Sequence, residues 1–376
     1  MTRRAAALVA ALALAAGAAP ARASLVGLQD DRIQTVDGPE LEARLDGLAA
    51  TGVRMTRVDV SWADVAPARP RDPTNPDDAA YRWSRYDAIF RGLAARGIGV
   101  IADFYVTPPW ATRSGAPNAA PRAADGAAFA GALGRRYSGA WPDPLNAGRH
   151  LPELRRIEVW NEPNLGQFYF PQCRKVGSRY ALDSPRTYAA LLAASYRTIR
   201  AANPDAIVVG GVAGPVGDTS RVCASADSSV GTLTFIQQLA RQRPPIDAWS
   251  QHVYPIGSPS RATFFPSWST MRALARAVDR LRKGIPIYVT ETGYHTSYNR
   301  YHRYFVSERQ QAAWLRETFQ QAARFPRVQL TVWFNLQDNP YWTGGLLRAD
   351  ASAKPAYAAF AQLAGSSPPL PPGWAP

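Results

Sequence analysis

A single (β/α)8 TIM barrel of the α/β class is predicted for this 376-residue chain by three features. Short β-rich runs alternate with helical stretches along the chain, which implies parallel β/α units. Eight such units fit one closed barrel of ordinary size. Connections from helix to strand are tight, whereas those from strand to helix are long and rich in Pro, Gly and aromatics.

In chain order, strands are expected near Leu25–Gln29, Val53–Val60, Gly99–Tyr105, Ile157–Trp160, Ala206–Gly210, Asp247–Gln251, Pro286–Thr290 and Gln329–Phe334. Helices lie between them, for example Glu40–Ala50, Tyr86–Arg96, Thr187–Ala202 and Glu308–Arg324, each with apolar residues three and four apart. Thr51-Gly52, Arg96-Gly97-Ile98, Asn203-Pro204-Asp205 and Lys283-Gly284 are the short returns. Ser61–Trp83, Thr107–Asp125, Pro163–Ser184, Gly211–Ser229, Tyr254–Ser267, Thr292–Ser307 and Asn335–Lys354 are the long loops, which in such a barrel build the functional face. Ser138–Glu153 is a long loop on the opposite face with no evident role. The catalytic domain is read as residues 24–365, followed by a Pro/Ser-rich tail, residues 366–376, expected to be disordered. No repeat and no linker marks a second domain.

The first 23 residues read as a cleaved signal peptide: Arg3-Arg4, an uncharged run from Ala5 to Ala21, and the small-x-small site Ala21-Arg22-Ala23. The run is shorter than the roughly 20 apolar residues that span a bilayer, so no stable membrane insertion is expected. Secretion, to the extracellular space or cell envelope, follows as the expected localisation. Net charge is +14, three units of which belong to Arg3, Arg4 and Arg22. The arginines are scattered and only Lys175, Lys283 and Lys354 are lysines, so no nucleic-acid footprint is read, while an anionic glycan stays open. Cys173 and Cys223 fall in loops at the same end of the barrel and can form one disulfide in an oxidising compartment. A monomer is expected, with no cofactor; no His/Cys/Asp cluster has metal-ligand spacing along the sequence.

Chemistry concentrates at two strand ends. Ile157-Glu158-Val159 runs into Trp160-Asn161-Glu162-Pro163, and Ile285-Pro286-Ile287-Tyr288-Val289 runs into Thr290-Glu291-Thr292-Gly293. In an eight-stranded barrel the fourth and seventh strands face each other across the axis. A pair of carboxyl groups so placed is what retaining glycoside hydrolysis needs, one to protonate the leaving oxygen and one to attack the sugar. Arg57, in Arg57-Val58-Asp59-Val60-Ser61-Trp62, would keep Glu291 ionised, and the charge of Glu291 would hold a proton on Glu162. In Gln251-His252-Val253-Tyr254-Pro255 the two-residue alternation turns His252 and Tyr254 to one side, where the tyrosine would donate to Glu291 and the histidine to a sugar hydroxyl. Trp333 is expected as a stacking floor for a sugar ring, and Trp62, Trp110 and Trp342 as candidates for further subsites.

These residues resemble the clan of retaining (β/α)8 glycosidases with glutamates ending strands 4 and 7, glycoside hydrolase families 5 and 39 being nearest. The resemblance covers the mature chain in outline and five strand ends in detail. It implies that Glu162 is the acid/base, Glu291 the nucleophile, and Asn161 the partner of the sugar 2-hydroxyl. Arg57 is similar to the clan's arginine beside the nucleophile. Family 5 enzymes commonly carry histidine at the end of strand 3; Tyr105 stands there in Asp103-Phe104-Tyr105, which leans toward family 39-like exopolysaccharide hydrolases. The expected activity is hydrolysis of a β-linked oligo- or polysaccharide by double displacement. A non-catalytic carbohydrate-binding barrel and a transglycosylase using the same intermediate are the alternatives.

Overall fold

The computed structural model describes residues 24–376 except 220, 221, 262–264 and 301. The signal-peptide segment lies outside the described residues. Eight parallel strands close a barrel: β1 (Leu25–Gln29), β2 (Met55–Ser61), β3 (Gly99–Tyr105), β4 (Arg156–Val159), β7 (Ile207–Ala213), β8 (Ala248–Val253), β9 (Ile287–Thr292) and β10 (Val328–Phe334). The strands β5 (Cys173–Val176) and β6 (Arg179–Leu182) form a separate antiparallel hairpin in the loop after β4, an insertion not expected from the sequence. Glu162 thus follows the fourth barrel strand and Glu291 lies in the seventh, as the sequence predicts.

Helices α1 (Gly38–Ala50), α3 (Ser84–Ala95), α4 (Ala123–Arg136), α5 (Ser184–Ala202), α6 (Thr232–Gln242), α7 (Met271–Val278), α8 (Glu308–Ala323) and α9 (Pro355–Gly365) surround the strands, with one turn, α2 (Trp62–Val65), after β2. Their apolar faces meet the outer faces of the strands in one continuous core that includes Leu45, Ile89, Leu133, Leu192, Phe235 and Leu315. A second, smaller core fills the barrel interior, built from Leu25, Met55, Ile101, Val209, Tyr288, Leu330 and Val332.

The C-terminal segment corrects an expectation. Instead of trailing free, it plugs the N-terminal end of the barrel: Trp374 is buried and belongs to the interior core, with Leu370 against it. The Arg156 guanidinium, at the start of β4, lies 3.3 Å from the Trp374 ring centroid and donates to the Gly373 carbonyl at 2.7 Å. Gly99, the first residue of β3, has no room for a side chain, since a Cβ there would stand 2.3 Å from the Trp374 carbonyl oxygen. Pro/Ser content suggested disorder, but two apolar anchors repay the ordering of an already stiff chain. Trp374→Ala is expected to cost about 3 kcal/mol of stability, the usual range for emptying a buried aromatic site. Thermal melts check this, with ligand binding at the far end of the barrel unchanged.

Candidate active site

The C-terminal ends of the strands open into a cleft of about 1000 Å³. Glu162 reaches it from a strained turn. Trp160 (φ 76°) and Glu162 (φ 42°) both occupy the left-handed region, which costs non-glycine residues on the order of 1–3 kcal/mol each. Neighbouring loops hold the turn in place. The Glu162 N–H donates to the Val212 carbonyl at 2.9 Å, and the Trp160 indole donates to the Phe168 carbonyl at 2.9 Å. Asn164, fully buried, accepts from the Gly214 N–H at 2.7 Å and donates to the Val230 carbonyl at 2.9 Å. Gly214 leaves room for the carboxyl: a Cβ there would lie 2.9 Å from Glu162 Cδ.

Glu291 meets Glu162 across the barrel through His252. The imidazole Nδ1 is 2.8 Å from Glu162 Oε1 and 3.5 Å from Glu291 Oε2. One donor atom from each of the three residues falls within 4.8 Å of the others. Among the described residues no other group of three His, Cys, Asp or Glu donors is this close, so folding supplies a spacing that the sequence lacked. The Tyr254 hydroxyl donates to Glu291 Oε2 at 2.5 Å, as expected. His252 departs from its expected role. It is fully buried and turned to the two glutamates, because the ring lies on β8 level with Glu291 in register, below the sugar-facing surface.

Arg57 is fully buried on the floor and serves more partners than one carboxylate. Its Nη1 donates to Glu291 Oε1 at 2.7 Å, Nε to Glu158 Oε2 at 2.7 Å, and Nη2 to Asp103 Oδ2 at 2.8 Å and Asn161 Oδ1 at 3.0 Å. Asp59 pairs with it at 3.0 Å. Fixing the Asn161 oxygen on Arg57 leaves that amide's N–H2 to face the cleft. Gln29 Nε2 joins Asp31 Oδ1 and Asp59 Oδ2 at 3.0 and 3.2 Å, which sets two further carboxylates in the cleft wall.

This crowding decides the protonation balance. Burial pushes Glu291 above the ordinary carboxylate range; His252 and Arg57 pull it back without overcoming burial and the charges of Glu162 and Asp59. One guanidinium divided among four carboxylates therefore offsets burial only in part, where the resemblance led to the expectation that Arg57 keeps Glu291 ionised. Burial lowers His252, but the Glu291 charge and the Glu162 hydrogen bond and charge outweigh it, so its net shift is upward. Asp31 and Asp103 are pushed well up, mainly by burial. Arg57→Lys is expected to cost about 3–5 kcal/mol, because a point charge cannot satisfy the fork of partners and buried carboxylates lose theirs. The loss should shrink as pH falls and those groups take up protons, which melts at pH 5 and pH 8 check.

The aromatic expectations divide. Tyr105 lines the cleft, as does Trp342, which packs 5.0 Å from Tyr254 and 4.9 Å from Phe334, centroid to centroid. Trp333 does not line it: the ring is fully buried toward the helices and its indole donates to the Gly344 carbonyl at 3.2 Å. Phe334 takes the expected place, because Leu330 and Val332 already face the barrel axis and the pleat turns the next alternate residue the same way. Trp110 also stays out of the cleft. Its indole donates to the Ala66 carbonyl at 2.8 Å and its ring lies edge-on to the buried Trp62, with Arg69 4.9 Å above it. Asp31, Asp59, Asp103, Glu158 and Asn164 were missed by sequence reading. For Glu158 and Asp103 the signal was present, as acids inside otherwise apolar barrel strands.

Cys173 and Cys223, 50 positions apart in sequence, are joined in a disulfide with Cα atoms 5.5 Å apart. No family model matches this sequence, and no curated protein matches it. Solved structures do match in fold. A family 39 glycoside hydrolase from the gut symbiont Bacteroides cellulosilyticus WH2 superposes with a TM-score of 0.59 at 21% identity, over 92% of this chain and 64% of its own. A monomeric β-xylosidase from Caulobacter crescentus CB15 gives 0.60 at 19% identity, over 91% and 67%. A glucosidase from Croceicoccus marinus gives 0.62 at 15% identity, over 91% and 66%. The chain spans about two thirds of the length of each of these proteins. It therefore carries the fold of the family 39 glycoside hydrolases, with two strand-end glutamates meeting at the face where such barrels gather their chemistry.

Proposed function

We propose that this protein is a retaining glycoside hydrolase acting on a β-linked oligo- or polysaccharide. The observation that carries the reading is the approach of Glu162 and Glu291, whose nearest carboxyl oxygens lie within 4.8 Å. Retaining enzymes hold the pair about 5–5.5 Å apart, whereas inverting ones leave about 6.5–9.5 Å for a water.

In the first step a Glu291 oxygen attacks the anomeric carbon while Glu162 gives its proton to the departing glycosidic oxygen. Arg57 and Tyr254 each hold one Glu291 oxygen, which aims the carboxylate and spreads its charge. Glu162 then takes a proton from water, which attacks the anomeric carbon and releases Glu291. His252 Nδ1 lies 2.8 Å from Glu162 Oε1, close enough to exchange a proton with it. Asn161, Tyr105, Asp31 and Asp59 face the ring, with Phe334 and Trp342 as its apolar wall.

Export through the segment 1–23 is part of the same proposal, supported by the disulfide, which favours an oxidising compartment. No described helix is long and apolar enough to cross a membrane. We retain the monomer expectation, in keeping with the description of the Caulobacter β-xylosidase. Proton NMR of the products from aryl β-glycosides and a broad glycan panel tests the reaction: the β-anomer should appear first. First appearance of the α-anomer would overturn the retaining mechanism. Products longer than the substrate would favour the transglycosylase.

A further inference from the structure

The hairpin β5–β6 is absent from the sequence expectation and unused by the chemistry above. It carries Arg174, Lys175 and Arg179 within the ten residues 173–182, and no acid. All three side chains are exposed. Arg174 has a distant partner in Asp183 at 3.6 Å, itself held more closely by Arg186 at 2.9 Å. Tyr180 lies directly across from Lys175, so a partly exposed aromatic ring and a cation share one face.

An isolated two-stranded hairpin is marginal in water, yet this one is fixed at its base. The disulfide from Cys173 ties it to the loop after β7, and the Gln172 and Cys173 N–H groups both donate to the Ala226 carbonyl at 2.8 and 3.1 Å. Buried Gln172 also donates to the Pro163 carbonyl at 3.0 Å and accepts from Ser184 Oγ at 2.7 Å. The same two loops form one wall of the cleft through Gln167, Phe168, Val216 and Ser229. A basic arm anchored at its base therefore stands on the loop that carries Glu162, next to the cleft wall.

The floor of the cleft has the opposite character. Asp31 and Asp59 line it together with the two catalytic carboxyls, and Arg57 is shared among four acids. The four carboxyls of the lining outnumber its one arginine, Arg303, so an anionic sugar ring is favoured at the arm over the floor.

We propose that the β5–β6 arm is a docking site for an anionic polysaccharide, whose carboxylate- or sulfate-bearing units lie on the arm while an uncharged unit occupies the catalytic floor. Lys175 pairs with an anion beside Tyr180, which stacks on a ring face, while Arg174 and Arg179, which share the opposite face of the hairpin, pair with anions along its other side. This rests on the carbohydrate-active reading but concerns a surface outside the reacting groups.

The test is retardation of the full-length mature protein in native gels cast with polygalacturonate or with neutral hydroxyethylcellulose, at several salt concentrations. Wild type should be retarded by polygalacturonate, less so as salt rises, and not by the neutral polymer. The variant Arg174→Glu/Lys175→Glu/Arg179→Glu should bind about tenfold more weakly or worse, as expected for three reversed exposed charges. Its fold is checked by circular dichroism, and its turnover of small aryl glycosides should be unchanged. Arg174→Lys/Arg179→Lys, which keeps the charge, should bind like wild type. No retardation of wild type, equal retardation of the charge-reversed variant, or equal retardation by both polymers would overturn the arm. Retention on phosphatidylglycerol vesicles without retardation by polygalacturonate would assign it to a membrane surface instead and also overturn the proposal. Retardation needs no turnover, so an inactive wild type would count against the hydrolase and leave the arm to its own result.

Discussion

Glu291→Gln is expected to lower kcat/KM for aryl β-glycosides by about 10⁵-fold, or about 7 kcal/mol of barrier. The amide is isosteric and keeps the Arg57 and Tyr254 contacts within reach, but it cannot form the glycosyl-enzyme ester. The same substitution should raise stability. Glu291 is a carboxyl whose folded pKa lies above its ordinary 4.5. Such a group contributes most below its ordinary pKa, and the contribution is lost as pH rises through the folded value. His252, raised above 6.5, has the same sign. The wild-type barrel should therefore lose stability on going from pH 5 to pH 8, whereas Glu291→Gln should show a flatter profile. At pH 8 the variant should be more stable by about 1–2 kcal/mol, a common size of gain when an active-site conflict is removed. Calorimetric melts across this range, beside steady-state kinetics, check both halves. Undiminished turnover would remove Glu291 from the chemistry.

Glu162→Ala should depend on the leaving group. General acid catalysis contributes about 10²–10⁴-fold, and it matters most where the departing oxygen is basic. Turnover of an alkyl or disaccharide substrate should fall by about that factor. A dinitrophenyl glycoside, which leaves without a proton, should still form the glycosyl-enzyme, seen as a burst followed by slow release. Azide should restore turnover and give a β-glycosyl azide, since a small anion can occupy the emptied space and attack without a general base. An α-azide product would reverse the geometry assigned to the pair. Loss of activity independent of the leaving group would make Glu162 a structural residue, consistent with its strained turn but not with acid/base work.

The fold and the meeting of the two strand-end glutamates were legible in the sequence for the same reason. A parallel strand buried on both faces reads as a short apolar run, and a carboxylate at its end is conspicuous. The eight runs placed the strands to within a few residues, and barrel order alone put Glu162 opposite Glu291. Less legible were residues whose role depends on which way a strand's last side chain points. Trp333 and Phe334 are adjacent and both aromatic, and only the axis-facing alternation of Leu330 and Val332 separates them. Trp110 failed for a related cause, because loop residues have no period to fix their direction.

What the sequence determined by itself was the order of β/α units, the chemical identity of the two carboxyls and the availability of a cysteine pair; each rests on local pattern or residue type. Tertiary structure alone decided how the charges are shared. Arg57, Asp59, Asp103, Glu158 and Glu291 come from four strands spread over 235 residues, and their mutual distances exist only once the barrel closes. The same closure brings His252 between the glutamates and seats Trp374 under the barrel. Electrostatic coupling and burial depend on separation in space, which a linear pattern does not encode.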